Sequence, residues 1–329
     1  MPITRRRLLF AGASVIPAAF GIHAFAQSVL LEQVRVLVGF PSGGGTDSAA
    51  RRVAEGIRGV YGKTLVVENK PGASGRLVVD EMRRGPADGS IMVVQPEAVI
   101  TQQPHVDPKN THYSIDDVAA IGGIGQIQHA FAVGPAVPDS VRSMKDFFAW
   151  ARANQGKANF GTPGANSAQD FLMRPVLQEL NLQLTHAPYR GSAPGVQDLI
   201  GGQISAFFSP VGDSLPHQGT GRMRLLGTSG ERRAKFAPDV QTFAEQGFPA
   251  MTLAEWYGVW MSKGTPDATR AAAASAISSA VMQPACVEAL GKFGIEATPI
   301  GQQEFAAAVR ASYAAWAERL RKIGFQPET

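Results

Sequence analysis

The chain has 329 residues, 44% of them hydrophobic and 18% charged, with a formal net charge of +4 and a single cysteine, Cys286. That length exceeds what one compact core usually holds, so two lobes are expected. The lone cysteine excludes an internal disulfide, the six histidines show no H-x-x-x-H or Cys/His cluster to hold a metal, and no Lys/Arg stripe with interleaved aromatics points to nucleic acid.

The first residues read as an export signal spanning 1–26. Arg5, Arg6 and Arg7 precede the apolar, Ala-rich segment Leu8 to Phe20, and Ala24-Phe25-Ala26 follows as a small-residue cleavage site, so the mature chain is expected to begin near Gln27. The order Thr4-Arg5-Arg6-Arg7-Leu8-Leu9 suits the twin-arginine route, and an ordinary Sec signal with a basic start fits as well. Removing three arginines and no acid lowers the formal charge from +4 to +1, so the basic balance belongs mostly to the signal. No later stretch approaches the length of a membrane helix, and the expected location is the periplasm.

The next feature carries the most information. FPSGGGTD, Phe40 to Asp47, joins the apolar run Val34 to Phe40 to an amphipathic stretch Ser48 to Tyr61. A strand that stops at three glycines and restarts as a helix turns unpaired backbone N–H groups toward one point, where an anion can bind. A Walker loop would end in Gly-Lys-Ser/Thr, and a dinucleotide turn would read G-x-G-x-x-G; neither is present. An anion cradle and a plain turn with Asp47 capping the helix are the two readings left.

Strand-length apolar runs then alternate with helical stretches. Leu65 to Glu68, helix Leu77 to Arg83 and Ile91 to Val94 complete a βαβαβ unit, for which a parallel sheet is expected. After Gly122-Gly123 a second series begins: strand Ala130 to Val133, helix Ser143 to Asn154, strand Ala158 to Gly161, helix Ser167 to Leu180, strand His186 to Tyr189, helix Pro194 to Gly201, and strands Ile204 to Ser209 and Met223 to Thr228. Pro175 is expected to kink or split its helix. Leu253 to Met261 alternates as a strand that places Trp256 and Trp260 on one face and Tyr257 on the other, a pattern read as packing between the lobes. Helices Pro266 to Met282, Pro284 to Phe293 and Gln302 to Ile323 follow, with a short strand near Ile295 to Thr298; Cys286 reads as a small buried hydrophobe.

Four Gly-rich strand-to-helix junctions emerge: Phe40 to Asp47, Asn69 to Gly75 (NKPGASG), Gly161 to Ser167 (GTPGANS) and Tyr189 to Pro194 (YRGSAP). In two α/β lobes such junctions line the crevice at the carboxyl ends of the strands.

In this order, these junctions resemble the Bug-type extracytoplasmic receptors, the substrate-binding components of tripartite tricarboxylate transporters. The resemblance covers nearly the whole mature chain, from VRVLVGFPSGGGTDSAAR through VVENKPGASG, PADGSIMVV, YRGSAPGVQDLIGGQI, LPHQGTGRMRLLGTSGERR and EWYGVW to the C-terminal helix. It implies an α/β, two-lobe periplasmic binding protein of the type II-like, Venus-flytrap kind, each lobe a mainly parallel sheet flanked by helices. Residues 27–128 plus 254–329 would form lobe 1 and residues 129–253 lobe 2. It also implies a monomer that closes on a small carboxylate-bearing solute and delivers it to an integral-membrane permease, with no cofactor. Carried over by position, the carboxylate would be held by Ser42, Gly43, Gly44, Thr46 and Asp47 from one lobe. Thr162, Asn166, Ser167, Tyr189, Arg190, Gly191 and Ser192 would hold it from the other. Helix N-termini and small hydroxyls are suited to that task. Asp47 itself reads better as a helix cap or a water holder than as a direct contact, and Arg190 as a ligand contact or a partner of a facing acid.

The chain departs from the family's usual pattern at Gln95-Pro96-Glu97-Ala98, at Arg76 and at Asp170. If Glu97 faces the cleft it repels a second carboxylate, and if Arg76 does too the pair neutralises itself, so a monocarboxylate or zwitterion is expected in place of a tricarboxylate. A solvated helix start at Glu97 is the other reading. Two further functions compete: a receptor that presents its ligand to a membrane sensor, and an exported hydrolase, for which no G-x-S-x-G elbow is present.

Overall fold

The computed structural model describes residues 30–327; the export signal expected over 1–26 lies outside the described residues. In chain order the elements are β1 (Leu31–Val38), α1 (Gly45–Gly56), β2 (Gly62–Asn69), α2 (Arg76–Arg84), β3 (Ile91–Pro96), short α3 (Ala98–Thr101) and α4 (Gln103–Val106), and β4 (Val118–Val133). Then come α5 (Met144–Ala153), β5 (Asn159–Thr162), α6 (Ala168–Glu179), β6 (Thr185–Pro188), α7 (Ser192–Ile200), β7 (Ala206–Pro210) and β8 (Arg224–Thr228). The chain ends with β9 (Ala254–Ser262), α8 (Asp267–Val281), α9 (Pro284–Gly291), β10 (Ile295–Ile300) and α10 (Gln302–Lys322).

The strands run in the order β2-β1-β3-β9-β4-β7-β5-β6, with β10 and β8 also paired to β4. The expected parallel units are present: β1 lies parallel to β2 and β3, and β5 parallel to β6 and β7. Antiparallel pairing through β9 and β4 joins the two units, so the sheet as a whole is mixed.

Strand β4 differs most from its sequence reading. Gly122-Gly123 looked like a break, yet one 16-residue strand runs through it. Its residues Val118 to Gln128 pair with β9, and from His129 to Val133 its neighbour is β7. The glycines are required by close approach: a Cβ at Gly123 would stand 2.8 Å from the Trp256 ring, and one at Gly125 would stand 2.4 Å from the Glu296 carbonyl oxygen. Small register shifts occur at these positions, as in a bulged strand.

Apolar residues on one face of the first unit, among them Val36, Val94, Tyr257 and Val259, pack against α1, α8 and α9. The other face buries Leu37, Val93 and Trp260 against α2 and α10. Cys286 belongs to the first of these cores, and burial pushes its thiol up to about 11. A third cluster around Phe131, Phe147, Phe160 and Phe208 fills the second unit.

Two expectations are corrected here. Pro175 does not split its helix, since α6 is continuous from Ala168 to Glu179 and Phe171, Leu172, Met173 and Val176 anchor it on both sides of the proline. Trp256 and Trp260 do share a face, but they pack on Phe305 of α10, at centroid distances of 6.3 and 5.4 Å, within the first unit and not between the lobes. It is α10 that reaches across: Trp316 and Leu320 cluster with Ala168 and Phe171 of α6.

Beyond β7 a 3-10 segment, Val211–His217, brings Gly212 against the turn before β10. A Cβ on Gly212 would stand 2.0 Å from the Phe293 carbonyl oxygen, so backbone meets backbone where the two units touch. Gly212→Ala is therefore expected to lower stability by about 1–3 kcal/mol or to push the units apart. A thermal melt together with a small-angle scattering radius of gyration checks this; an unchanged melt and radius would show that the contact is dispensable.

Candidate functional site

Chain direction brings the predicted loops to the strand ends. In the first unit β1 and β3 are parallel, so Phe40 to Gly44 and Gln95 to Glu97 leave the sheet at the same edge. Helix α1 starts at Gly45 with Gly44 as its N-cap and no side-chain cap, so Asp47 does not cap the helix; it lies in the first turn. Buried at 4% exposure, its Oδ2 accepts from the Gly43 N–H and from Arg51 Nε, both at 3.0 Å, while its Oδ1 accepts from Asn69 Nδ2 at 3.0 Å. Asn69 also donates to the Phe40 carbonyl at 3.1 Å. Burial alone would raise this carboxyl, but the hydrogen bonds from Arg51, Gly43 and Asn69 outweigh it and hold it below its ordinary value.

Asp47 is thus the brace of the loop. Its oxygens are spent on the protein, which leaves Ser42, Gly43 and Gly44 exposed around the helix N-terminus. Gly43 adopts φ +86°, and a Cβ there would meet nothing within 4 Å. Thr46 is buried, with its hydroxyl toward the Tyr257 phenol.

In the second unit β5, β6 and β7 are mutually parallel through β5, and their carboxyl ends lead into three loops at one edge. The first two are tied together: the Tyr189 N–H donates to the Thr162 carbonyl at 2.9 Å, and the Gly191 N–H to the Pro163 carbonyl at 2.8 Å. Several predicted side chains are occupied internally. Thr162 Oγ1 donates to the Gly164 carbonyl and lies 2.8 Å from His186 Nε2. The Tyr189 hydroxyl donates to Asp198 at 2.7 Å; burial, then that bond, pushes it up to about 12.

Asn166, at φ +53°, accepts from Arg174 through its side chain. Its carbonyl accepts from Gln102 Nε2, on the first unit, at 3.2 Å, so the two units touch at this loop. Ser167 is the N-cap of α6, accepting from the Asp170 N–H at 3.4 Å, and the Asp170 carboxylate is bound by Arg174 at 2.6 Å. Ser192 opens α7 half-buried, while Arg190 and Gly191 are exposed and Arg190 has no ion pair among the described residues.

The third loop holds what the sequence reading missed. The hydroxyls of Ser192 and Ser209 lie toward the carboxyl of Asp213, which burial nonetheless raises above its ordinary value. Asp213 and Glu255 both lie near enough to Tyr257 to add to the upward push that burial gives its phenol. Thr46 thus lies at Tyr257 and Ser192 at Asp213, and the charge of Asp213 is felt at the Tyr257 phenol, so predicted residues of the two units are coupled electrostatically. Glu255 Oε2 lies 3.3 Å from His129 Nε2, and Gln169 Nε2 lies 2.9 Å from His129 Nδ1. The alternation of β9 placed Glu255 on the Tyr257 face and was a usable signal; SPVGDSLPH reads only as a loop.

Glu97 is not a solvated helix start. It is 3% exposed, with Oε1 3.2 Å from the Ser312 hydroxyl, and burial followed by repulsion from Glu255 pushes it up to about 8. Arg76 does not neutralise it, because its Nη1 pairs with Asp107 at 2.7 Å and with Gln103 at 3.2 Å. No group of three or more His, Cys, Asp or Glu among the described residues is arranged to hold a metal ion.

A family model described as Tripartite tricarboxylate transporter family receptor matches residues 49–325. Among curated relatives, a UPF0065 protein from the gbd 5′ region of Cupriavidus necator is 29% identical, covering 92% of this chain and 91% of its own length. Protein BugT of Bordetella pertussis is 26% identical, with 90% of each chain covered. Among solved structures, an R. palustris protein with adipate superposes at a TM-score of 0.80 with 24% identity, covering 90% of this chain and 99% of that one, a likeness of fold.

Two outcomes follow from the site's geometry. Asp47→Ala strands the Gly43 N–H, Arg51 and Asn69, and is expected to cost about 1–3 kcal/mol of stability, seen as a lower denaturant midpoint. The Glu97 carboxyl is raised on folding, so its contribution is complete below the ordinary carboxylate range and is lost as pH rises through about 8. The melting temperature is expected to fall between pH 5 and pH 9 as the unfolding free energy drops by up to about 1.4 kcal/mol per pH unit, and Glu97→Gln to flatten that fall. An identical pH profile in the variant would contradict the assignment.

Proposed function

The chain belongs to the tripartite tricarboxylate transporter receptor family, and on that premise we propose that it captures a small carboxylate-bearing solute between its two lobes and delivers it to an integral-membrane permease. Members of this family are solute-binding receptors with the two-lobe periplasmic binding protein fold, and no helix among the described residues is long and apolar enough to cross a membrane. One observation carries the reading: exposed helix-N-terminal loops from both units, at Ser42 to Gly44 and at Gly191-Ser192, stand at strand ends, and the two units touch beside them where Gln102 donates to the Asn166 carbonyl. Backbone N–H groups and hydroxyls arranged in this way suit a carboxylate, and the adipate bound by the R. palustris protein of the same fold is consistent with that class.

In this reading Ser42, Gly44 and Thr46 take the solute from one lobe and Asn166, Ser167, Arg190 and Ser192 take it from the other, while Gly43 and Gly191, whose N–H groups donate to Asp47 and to the Pro163 carbonyl, shape their loops. Asp47, Thr162 and Tyr189 act by holding their loops in shape. Lobe 1 comprises residues 27–128 and 254–329 and lobe 2 residues 129–253, with the border placed where β4 changes partners. The receptor works in the periplasm as a monomer, exported by the twin-arginine or the Sec route, and needs no catalytic group. Closure requires only that the solute favour the closed form over the open one.

Thermal-shift and native mass spectrometric screening of the mature protein against carboxylic acids tests this. A bound acid stabilises the folded state by mass action, by about 2.7 kcal/mol at a hundred times its dissociation constant. A stoichiometric complex with at least one carboxylate is expected. A folded protein that binds none of them, or that turns one over, would refute the proposal.

A further inference from the structure

Asp213 stands in the third loop at the sheet edge where the parallel strands β5, β6 and β7 end, beside the two loops already assigned. It is half-buried as a residue, and its Oδ2 is closed off from solvent with no hydrogen-bond partner among the described residues. The hydroxyls of Ser192 and Ser209 lie toward it, and its charge is felt at the Tyr257 phenol. The charged and titratable groups that face it are His129 from β4, and Glu255 from β9 across the phenol. Three guanidiniums near the site are committed elsewhere, Arg51 to Asp47, Arg174 to Asp170 and Arg76 to Asp107, and the exposed Arg190 makes no ion pair with Asp213 among the described residues.

A buried carboxylate with no cation and an unmatched lone pair is unfavourable unless a partner arrives. Two carboxyls near one phenol also make this floor hostile to a second negative charge on a solute. Resting on the reading above, we propose that Asp213 determines specificity: the loop N–H groups take the solute's carboxylate, and the half-buried Asp213 carboxyl, turning its unmatched Oδ2 toward the solute, takes an ammonium carried by the same molecule. The preferred solutes are then amino carboxylates. Dicarboxylates are discriminated against by repulsion, and simple monocarboxylates by leaving Oδ2 unmatched.

Calorimetric titration of the mature protein with four- and six-carbon acids tests this. At each length the unsubstituted monocarboxylate, its 2-amino and ω-amino derivatives, its 2-hydroxy derivative and the dicarboxylate are compared. With native protein, one amino acid is expected to bind at least ten-fold tighter than the unsubstituted acid and the dicarboxylate of equal length. Asp213→Asn, with Asp213→Ser as a second variant, is expected to shrink that ratio to three-fold or less while binding of the unsubstituted acid is retained. A dicarboxylate or hydroxy acid bound tightest by native protein overturns the proposal but leaves the carboxylate reading intact, and so does an amino preference that survives in both variants. If folded native protein binds no carboxylate in the series, both fall. The ranking with native protein stands even where a variant fails to fold.

Discussion

Everything at the proposed site depends on one strand. β4 is hydrogen-bonded to β9 over its first eleven residues and to β7 over its last five, so a single stretch of extended backbone belongs to both units. An extended strand flanked on both sides resists twisting and stretching far more than a loop would. The carboxyl ends of β1 and β3 and those of β5, β6 and β7 therefore hang from one continuous strand about which the units close, and the side chains at the crossover, His129 and Glu255, become a floor shared by both units. The cost is steric: β9 and β10 must approach β4 so closely that Gly123 and Gly125 tolerate no side chain. Helix α10 adds a second tie through Trp316 and Leu320.

The loops themselves are preformed. Asp47 spends both oxygens on Gly43, Arg51 and Asn69, and the Thr162 and Tyr189 side chains are hydrogen-bonded within their own unit. Binding energy is then not consumed in ordering them, because the exposed N–H groups already stand where the helix starts place them. Asp213 is the contrast. Its environment is uncompensated where that of Asp47 is over-determined, and that difference separates a group that builds the site from one that reads the solute.

Much of this was legible in the sequence. FPSGGGTD located the first loop, because three glycines between a β-branched run and an amphipathic stretch have few uses, and the alternation of helices and strands gave both parallel units. Glycine misled at β4, where Gly122-Gly123 punctuates the sequence like a turn but serves close packing of Trp256, a long-range cause invisible in the local pattern. Pro175 does not split α6, since burial of Phe171 to Met173 and of Val176 holds the chain on both sides of it in one helix. The partners of Arg76 and Glu97 were unreadable because they come from Asp107 and Ser312 across the fold, and Asp213 sits in a loop whose composition says nothing about what surrounds it.

The central claim is that one solute is gripped from both units at once. Amide hydrogen exchange with and without a saturating carboxylate measures this directly. The account predicts slowed exchange at Ser42 to Asp47, at Asn166-Ser167 and at Gly191-Ser192 together, with the same concentration dependence. Protection confined to one unit would contradict it, as would protection appearing instead around the groove lined by Gln126, Gln128, Arg232 and Lys235.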